Sequence, residues 1–363
     1  MEKGINMSND HEKIRITTDE VERVVVDPPA GPAPPPPAVT DDSGTRQWGR
    51  VDLASSHPLS PGASGTPNVF FKAWAYLGIA GLSGAFVAWA LCEPTFYEMA
   101  PRGLGNVLMF PAFVVLVSLG FAIAESAVER SWQKAVSRGV LAVLLGVILG
   151  FVFDSIADVI YQIGLRVLYN SGTQLTSYNP LHWVVRAVAW SVFGVTGGVV
   201  YGIAGRSSKK CAYGIIGGII GAAVGGLVFD PINILAGVAA PSRCLGMMIM
   251  GASTGVAIGL VESALKDRWL YVSSGPLAGK QFILYKPQTR IGRDQSNDVY
   301  LFKDTSIQPQ HAVIDLRAGR AVLTAAAPTF VSGQPVTQRT LQNGDLIQIG
   351  RYSFSYQEKH KPR

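Results

Sequence analysis

Three patterns of hydrophobic and polar positions follow one another along the chain. Residues 1–66 show no apolar periodicity. From about Phe70 to Leu265 the apolar residues gather into long stretches broken by short polar loops. From Trp269 onward they shorten to runs such as WLYVS, QFILY, AVLTA, LIQIG and YSFSY, separated by Gly, Pro, Asn and Asp. The first pattern predicts a polar tail and the second a set of membrane-spanning helices. The third predicts an antiparallel all-β sandwich. The domain organisation expected is therefore 1–66, 70–265 and 269–357.

The middle block divides into six segments: Phe70–Leu91, Leu104–Ala124, Val140–Tyr161, Trp183–Ala204, Ala212–Leu235 and Leu245–Leu265. Each has close to the roughly 20 mainly apolar residues that cross a hydrocarbon core as a helix. The stretch from Arg166 to His182 is polar and aromatic, and reads as an extramembrane loop. Lys and Arg alternate between the loops. Arg130, Lys134 and Arg138 follow the second segment, Arg206, Lys209 and Lys210 the fourth, and Lys266 and Arg268 the sixth, while Arg46, Arg50 and Lys72 precede or begin the first. The opposite side holds Arg102, Arg166, Arg186 and Arg243. Positive residues stay inside, so a multi-pass protein of a bacterial-type inner membrane is expected, with both ends in the cytoplasm.

The six segments also repeat. Glu93-Pro94 matches Asp230-Pro231 and Glu125-Ser126-Ala127 matches Glu262-Ser263-Ala264, both at an offset of 137 (230 − 93 and 262 − 125). Trp132 matches Trp269 at the same offset, and Gly150–Asp154 resembles Gly226–Asp230. Three helical hairpins of one design are expected. Glycines recur every fourth residue at 194, 198 and 202, at 217, 221 and 225, and at 251, 255 and 259. That spacing places them on one side of a helix, where backbones can approach closely.

Composition sharpens this picture. Only 15% of the 363 residues are charged, against about 25% in soluble domains, which fits the membrane block. The formal charge of +6 is explained by the loops and does not mark a nucleic-acid partner. Cys92, Cys211 and Cys244 match neither a zinc spacing nor a disulfide framework, and read as structural filler. The tail carries DPPAGPAPPPPAVTDDSG, too poor in large apolar residues to form a core, and is expected to stay disordered, with Pro34–Pro37 as a stiff spacer. No apolar segment follows Met1, so no cleavable signal peptide is expected. Thr17 and Thr18 lie in an acidic setting and are candidate phosphoacceptors.

The candidates for intramembrane chemistry are the carboxylates Glu125, Asp154, Asp230 and Glu262, with Glu93 at the end of the first span. Solvation at helix ends or pairing with basic loops is the ordinary role of such groups; a proton or cation path is the sharper one. No nucleophile–base pair, metal cluster or phosphate loop stands out. No catalysis, metal or cofactor is therefore expected.

In the last block, Gly292-Arg293, Asn297-Asp298, His311 and Asn343-Gly344-Asp345 occur in order. This stretch resembles a forkhead-associated (FHA) domain over roughly Trp269 to Tyr356. The family is a β-sandwich that reads phosphothreonine in partner peptides, so the resemblance implies a binding module. It implies that Arg293 grips the phosphate, with Gln308 and Thr329 as further peptide-contacting candidates. It also implies that Gly292, Asn297 and His311 support the binding loop. Two family contacts are changed: Gln308 stands where a Ser donates to the phosphate, and Ala327 where an Asn holds the peptide backbone. Phosphothreonine peptide is therefore expected to bind weakly or not at all, with a related surface used for a protein partner. The leading expectation is a membrane-anchored interaction scaffold with a protein partner, bearing phosphothreonine or not, contact with membrane lipid, and homo-oligomerisation left open. The alternative is a small-solute or ion transporter with a regulatory FHA-like domain.

Overall fold

The computed structural model describes residues 69–97, 103–174, 176–237, 239–317 and 319–359. The tail with Thr17, Thr18 and Pro34–Pro37, and the basic residues Arg46, Arg50 and Arg102, lie outside the described residues.

Among the described residues, six α-helices come before the strands: α1 (Ala73–Cys92), α2 (Leu104–Val128), α3 (Trp132–Asn170), α4 (Pro180–Ala204), α5 (Ser208–Ala236) and α6 (Ala239–Leu265). All six are long and apolar enough to cross a membrane. Local signals set several ends. The Asn179 side chain accepts from Leu181 N with Pro180 beside it, and the Ser207 side chain accepts from Lys210 N. Both are N-caps that satisfy a donor the helix cannot. Gly237 closes α5 at φ 65°, a left-handed position that suits glycine.

The third helix departs from expectation. It runs 39 residues without a break, and so takes in Arg166–Asn170 from the expected loop. Its interior has no proline, and residues such as Arg166, Leu168 and Tyr169 favour helix over loop once the turn before them is formed.

Each helix packs on the next, α6 closes back on α1, and α2 also touches α4. The glycine rows lie at three of these contacts. A Cβ at Gly194 would fall 2.0 Å from Gly218 O, and one at Gly198 would fall 2.3 Å from Gly214 C. On the other face of α5, a Cβ at Gly221 would fall 2.4 Å from Ser253 O and Thr254 Cα. Gly251 and Gly255 meet Gly81 and Leu77 of α1 at 2.3 and 2.1 Å by the same measure. Backbone thus rests on backbone from α4 through α5 and α6 to α1, maximising dispersion contact where lipid supplies no hydrophobic drive.

The even helices show the repeat in their chemistry. Glu125, Tyr201 and Glu262 each stand three residues before the last residue of α2, α4 and α6 (Val128, Ala204 and Leu265). Two residues, Lys266 and Asp267, then lead into eleven strands. They are β1 (Arg268–Ser274), β2 (Gln281–Ile283), β3 (Gln288–Gly292), β4 (Val299–Tyr300), β5 (Ala312–Arg317), β6 (Arg320–Ala325), β7 (Phe330–Val331), β8 (Gln334–Pro335), β9 (Gln338–Thr340), β10 (Leu346–Ile349) and β11 (Tyr352–Glu358). They form two sheets, ordered β2-β1-β11-β10-β7-β8 and β4-β3-β5-β6-β9. Leu270, Val272, Ile291, Ile314, Leu323, Ile347 and Phe354 fill one core between them. All pairings are antiparallel except β3 with β4, where Ile291 faces Val299 in parallel. That pair makes the chain turn back within 293–298, and this turn shapes the candidate site.

Candidate functional site

The site begins at the turn between β3 and β4. Gly292 is held so close to the next loop that a Cβ would fall 2.3 Å from Pro309 O, so no larger residue fits without displacing backbone. Arg293 N then donates to Gln308 O (3.0 Å) and Asp294 N to Pro309 O (3.2 Å). Asn297 is buried and its Nδ2 donates to Pro309 O (2.5 Å). Asp298 accepts from Arg290 N (3.0 Å) and from Lys286 Nζ (2.6 Å), which fixes the far end of the turn. These bonds join the β3–β4 turn to the β4–β5 loop, Phe302 to His311, as one unit.

His311 ties in a third loop. Its Nδ1 accepts from Gln308 N (3.2 Å), so its Nε2, 3.0 Å from Pro328 O, is the protonated nitrogen. The ring is 2% exposed. Asp304 holds the other side of the β4–β5 loop, accepting from Ser306 Oγ (2.6 Å), Ser306 N (3.0 Å) and Arg351 N (2.9 Å). The hydrogen bond from Ser306 Oγ, with those from the backbone, holds its carboxyl below the usual carboxylate range.

On this rigid base the side chains of Arg293, Lys303 and Gln308 stand exposed, and the Arg293 guanidinium has no side-chain partner among the described residues. Thr329 differs from the expectation that it meets a peptide. It is 1% exposed and its hydroxyl donates to Ala327 O (3.0 Å), which ties the side chain to its own loop. What the surface offers is therefore a guanidinium, an ammonium and an amide, suited to an anion.

Residues 271–360 match the family described as the cytoplasmic domain of an inner membrane component of the type III secretion system. The glycogen accumulation regulator GarA of Mycolicibacterium smegmatis is 35% identical over 90 residues, 24% of this chain and 56% of that protein. The chain thus spans little more than half the length of this relative. A solved structure from work on phosphothreonine-dependent FHA domain interactions aligns with 26% of this chain and all of its own, at 24% identity and a TM-score of 0.25. The oxoglutarate dehydrogenase inhibitor of Corynebacterium glutamicum is 34% identical over 108 residues, which are 29% of this chain and 72% of that protein. The chain belongs to the FHA-domain family.

The FHA domain does not hang free of the helices. Lys280 Nζ reaches Glu129 Oε1 at 2.8 Å, with side chains 2% and 3% exposed, and Lys134 Nζ reaches the other oxygen at 3.2 Å. The Tyr285 hydroxyl donates to Glu262, which also accepts from Tyr201 OH (3.2 Å). Burial, and after it the charge of Glu262, pushes the Tyr285 hydroxyl well above its ordinary value, which keeps it a donor. Glu125 is paired with Lys210 (2.6 Å) and Arg138 (2.9 Å). At the opposite end, Asp230 is buried against Arg186 Nε (2.9 Å), and Glu93 pairs with Arg243. The partner of Asp230 is thus a helix residue rather than a basic loop. Asp154 is half-buried on α3, four residues before Asp158.

Sequence reading gave no sign of this docking, because Glu129 and Lys280 are 151 positions apart and neither lies in a motif. The same holds for Gln295, two residues past Arg293, whose Oε1 accepts from Gln133 N (3.1 Å).

Proposed function

We propose that the chain is a membrane-anchored FHA-type interaction protein, whose FHA domain reads a threonine-phosphorylated partner at the cytoplasmic face of an inner membrane. The observation that carries this reading is the exposed Arg293 guanidinium, unpaired among the described residues, on a braced three-loop base. A guanidinium is permanently charged, and its fork of donors matches phosphate geometry. The family match to an inner membrane component's cytoplasmic domain supports the location. The basic loops at Arg130–Arg138 and Arg206–Lys210 support the orientation. The proposed division is tail 1–66, anchor 70–265 and reader 269–357.

A second reading, a small-solute or ion transporter with a regulatory FHA domain, has one observation in its favour: Glu125 and Glu262 line one cavity of about 500 Å³ at the inner end of the helices. The middle of the bundle weighs against it. The space among Phe113, Phe121 and Phe193 there is about 10 Å³, no more than a single water needs.

The test is titration calorimetry of the full chain in lipid nanodiscs with a phosphothreonine peptide and its unphosphorylated form. Binding should require the phosphate and weaken about tenfold or more in Arg293→Ala, given roughly 1.5–3 kcal/mol for a hydrogen bond to a charged group. Equal binding of both peptides, or indifference to Arg293→Ala, overturns the reading.

A further inference from the structure

The loop between α2 and α3 lies against the two loops that carry the candidate site. Gln295 Oε1, in the β3–β4 turn, accepts from Gln133 N at 3.1 Å, and Ser131 Oγ is 3.5 Å away. Lys134 Nζ donates to Asp298 O at the end of the same turn (3.3 Å). On the β4–β5 side, the Arg130 guanidinium sits 5.9 Å from the centre of the Phe302 ring. Arg130 adopts φ 55°, and Lys303, next to Phe302, adopts φ 62°. A non-glycine residue in the left-handed region is uncommon and carries strain that its surroundings must sustain. Here the two strained positions are both cations, one from each domain, Arg130 near the Phe302 ring and Lys303 next to Phe302 in the chain.

Arg130, Lys303 and Arg293 are all exposed, and none has a carboxylate partner among the described residues. Other cations of this region do have one: Lys134 and Lys280 hold Glu129, Lys286 holds Asp298 and Arg351 approaches Asp304. Three cations without a carboxylate partner among the described residues stand on loops tied to one another by hydrogen bonds, and the positive potential they share favours a ligand carrying more than the charge of a single residue.

We propose that the reading face of the FHA domain is completed by the α2–α3 loop. Arg130 adds a cationic contact beside Arg293 and Lys303, so the full chain selects phosphopeptides with acidic residues flanking the phosphothreonine. This rests on the phosphopeptide reading above and adds the sequence class of the partner. It also assigns a ligand contact to a residue of the membrane domain. Arg130 supplies positive charge to a face on which Gln308 has replaced one donor to the phosphate. The guanidinium lies 5.9 Å from the centre of the domain's Phe302 ring, which favours a peptide over the lipid surface.

The experiment titrates the full chain in nanodiscs of neutral lipid with two phosphothreonine peptides, one flanked by Asp and Glu and one by Asn and Gln. Wild type, Arg130→Ala, Arg130→Lys and Arg293→Ala are compared. Arg130→Ala should lose about tenfold for the acidic peptide and little for the neutral one, a single charge-assisted contact being of that size. Arg130→Lys should restore most of the loss, and added salt should narrow the gap between peptides. If Arg293→Ala abolishes binding while Arg130→Ala leaves the preference between peptides unchanged, the composite face is wrong and the phosphopeptide reading stands. If Arg293→Ala changes nothing, both fall. If Arg130→Ala instead alters only binding of the chain's soluble face to anionic vesicles, the loop reads lipid and the proposal is overturned.

Discussion

Lys280 and Arg293 belong to the same small FHA domain, and both lie on loops or strand ends turned toward the helices. Lys280 is buried and faces Glu129 at 2.8 Å. Arg293 is exposed and faces no acid among the described residues. Around Lys280 the whole neighbourhood is matched: Glu129 with Lys134, Glu125 with Lys210 and Arg138, Glu262 with Tyr201 and Tyr285. Around Arg293 the loops are braced by Asn297, Asp298, His311 and Asp304, while the Arg293 guanidinium itself is left over. Charge type therefore says little about role. What separates a joint from a reading surface is whether its charges are already spent on one another.

The largest effect should come from breaking the matched region. Lys280→Ala leaves Glu129 buried with Lys134 alone, and removing one partner of a buried pair costs about 3–5 kcal/mol. The retained Lys134 contact puts the expected loss near the lower figure. Thermal unfolding of the purified full chain, with limited proteolysis near Asp267, should show the FHA domain released from the helices. Replacing both members, Lys280→Met with Glu129→Met, should recover most of the stability, because no lone buried charge remains. A single variant as stable as wild type would mean that the pair holds nothing together.

How much of this contrast the sequence displayed depends on the range of the interaction that made it. The six helices were legible because length and apolar content are local properties. The glycine rows of 217, 221, 225 and their neighbours were legible because spacing alone puts them on one face. The loss of Thr329 as a surface residue was not, since its burial follows from the β6–β7 chain path rather than from its neighbours. Strands β4, β7 and β8 have only two residues each, too short for any alternation to register. The domain joint was least visible of all, because it pairs Glu129 with Lys280 and Glu262 with Tyr285, residues far apart in the chain. Arg130 was visible only as one of several basic loop residues, a reading that concerns topology and is silent on which way the guanidinium points.

Next in size is the glycine contact that supports the matched region from within the bundle. Gly221→Leu must push Ser253 O and Thr254 Cα aside, since even a Cβ falls at 2.4 Å. Overpacking of this kind costs about 1–3 kcal/mol. Ile220→Leu, one residue away and half exposed, serves as the control and should leave the thermal midpoint unchanged. Equal behaviour of the two variants would show that α5 and α6 can part without cost.

The smallest effect belongs to the reading side. The Asp304 carboxyl is held low chiefly by the Ser306 hydroxyl, so it titrates below the value of about 3.9 typical of a free Asp. Its contribution is complete above that value and is lost as pH falls through the lower folded value. The stability gap between wild type and Asp304→Asn should therefore be constant well above the ordinary Asp value of about 3.9 and shrink as the pH falls below it. A gap that widened on acidification would reverse the assignment and detach the β4–β5 loop from Asp304.

The passage from α6 to β1 has a consequence for how a partner is met. Lys266 and Asp267 are the whole connection, and both are pinned, Lys266 to Gln281 and Asp267 to Lys209 and to the backbone N of Lys359. A flexible tether of n residues would let a domain roam over roughly 5–6 Å × √n; here there is almost nothing to roam with. The domain is held like a fixed instrument, at one height and one tilt above the helix ends. A partner that shares the membrane plane meets it with height already correct, leaving two dimensions to search and one rotation to find. Part of the freedom that association ordinarily forfeits is surrendered in advance, during folding. For the interaction role proposed above, a partner diffusing in from solution would gain none of that advantage for its own part, so the short pinned passage would itself discriminate by where the partner lives.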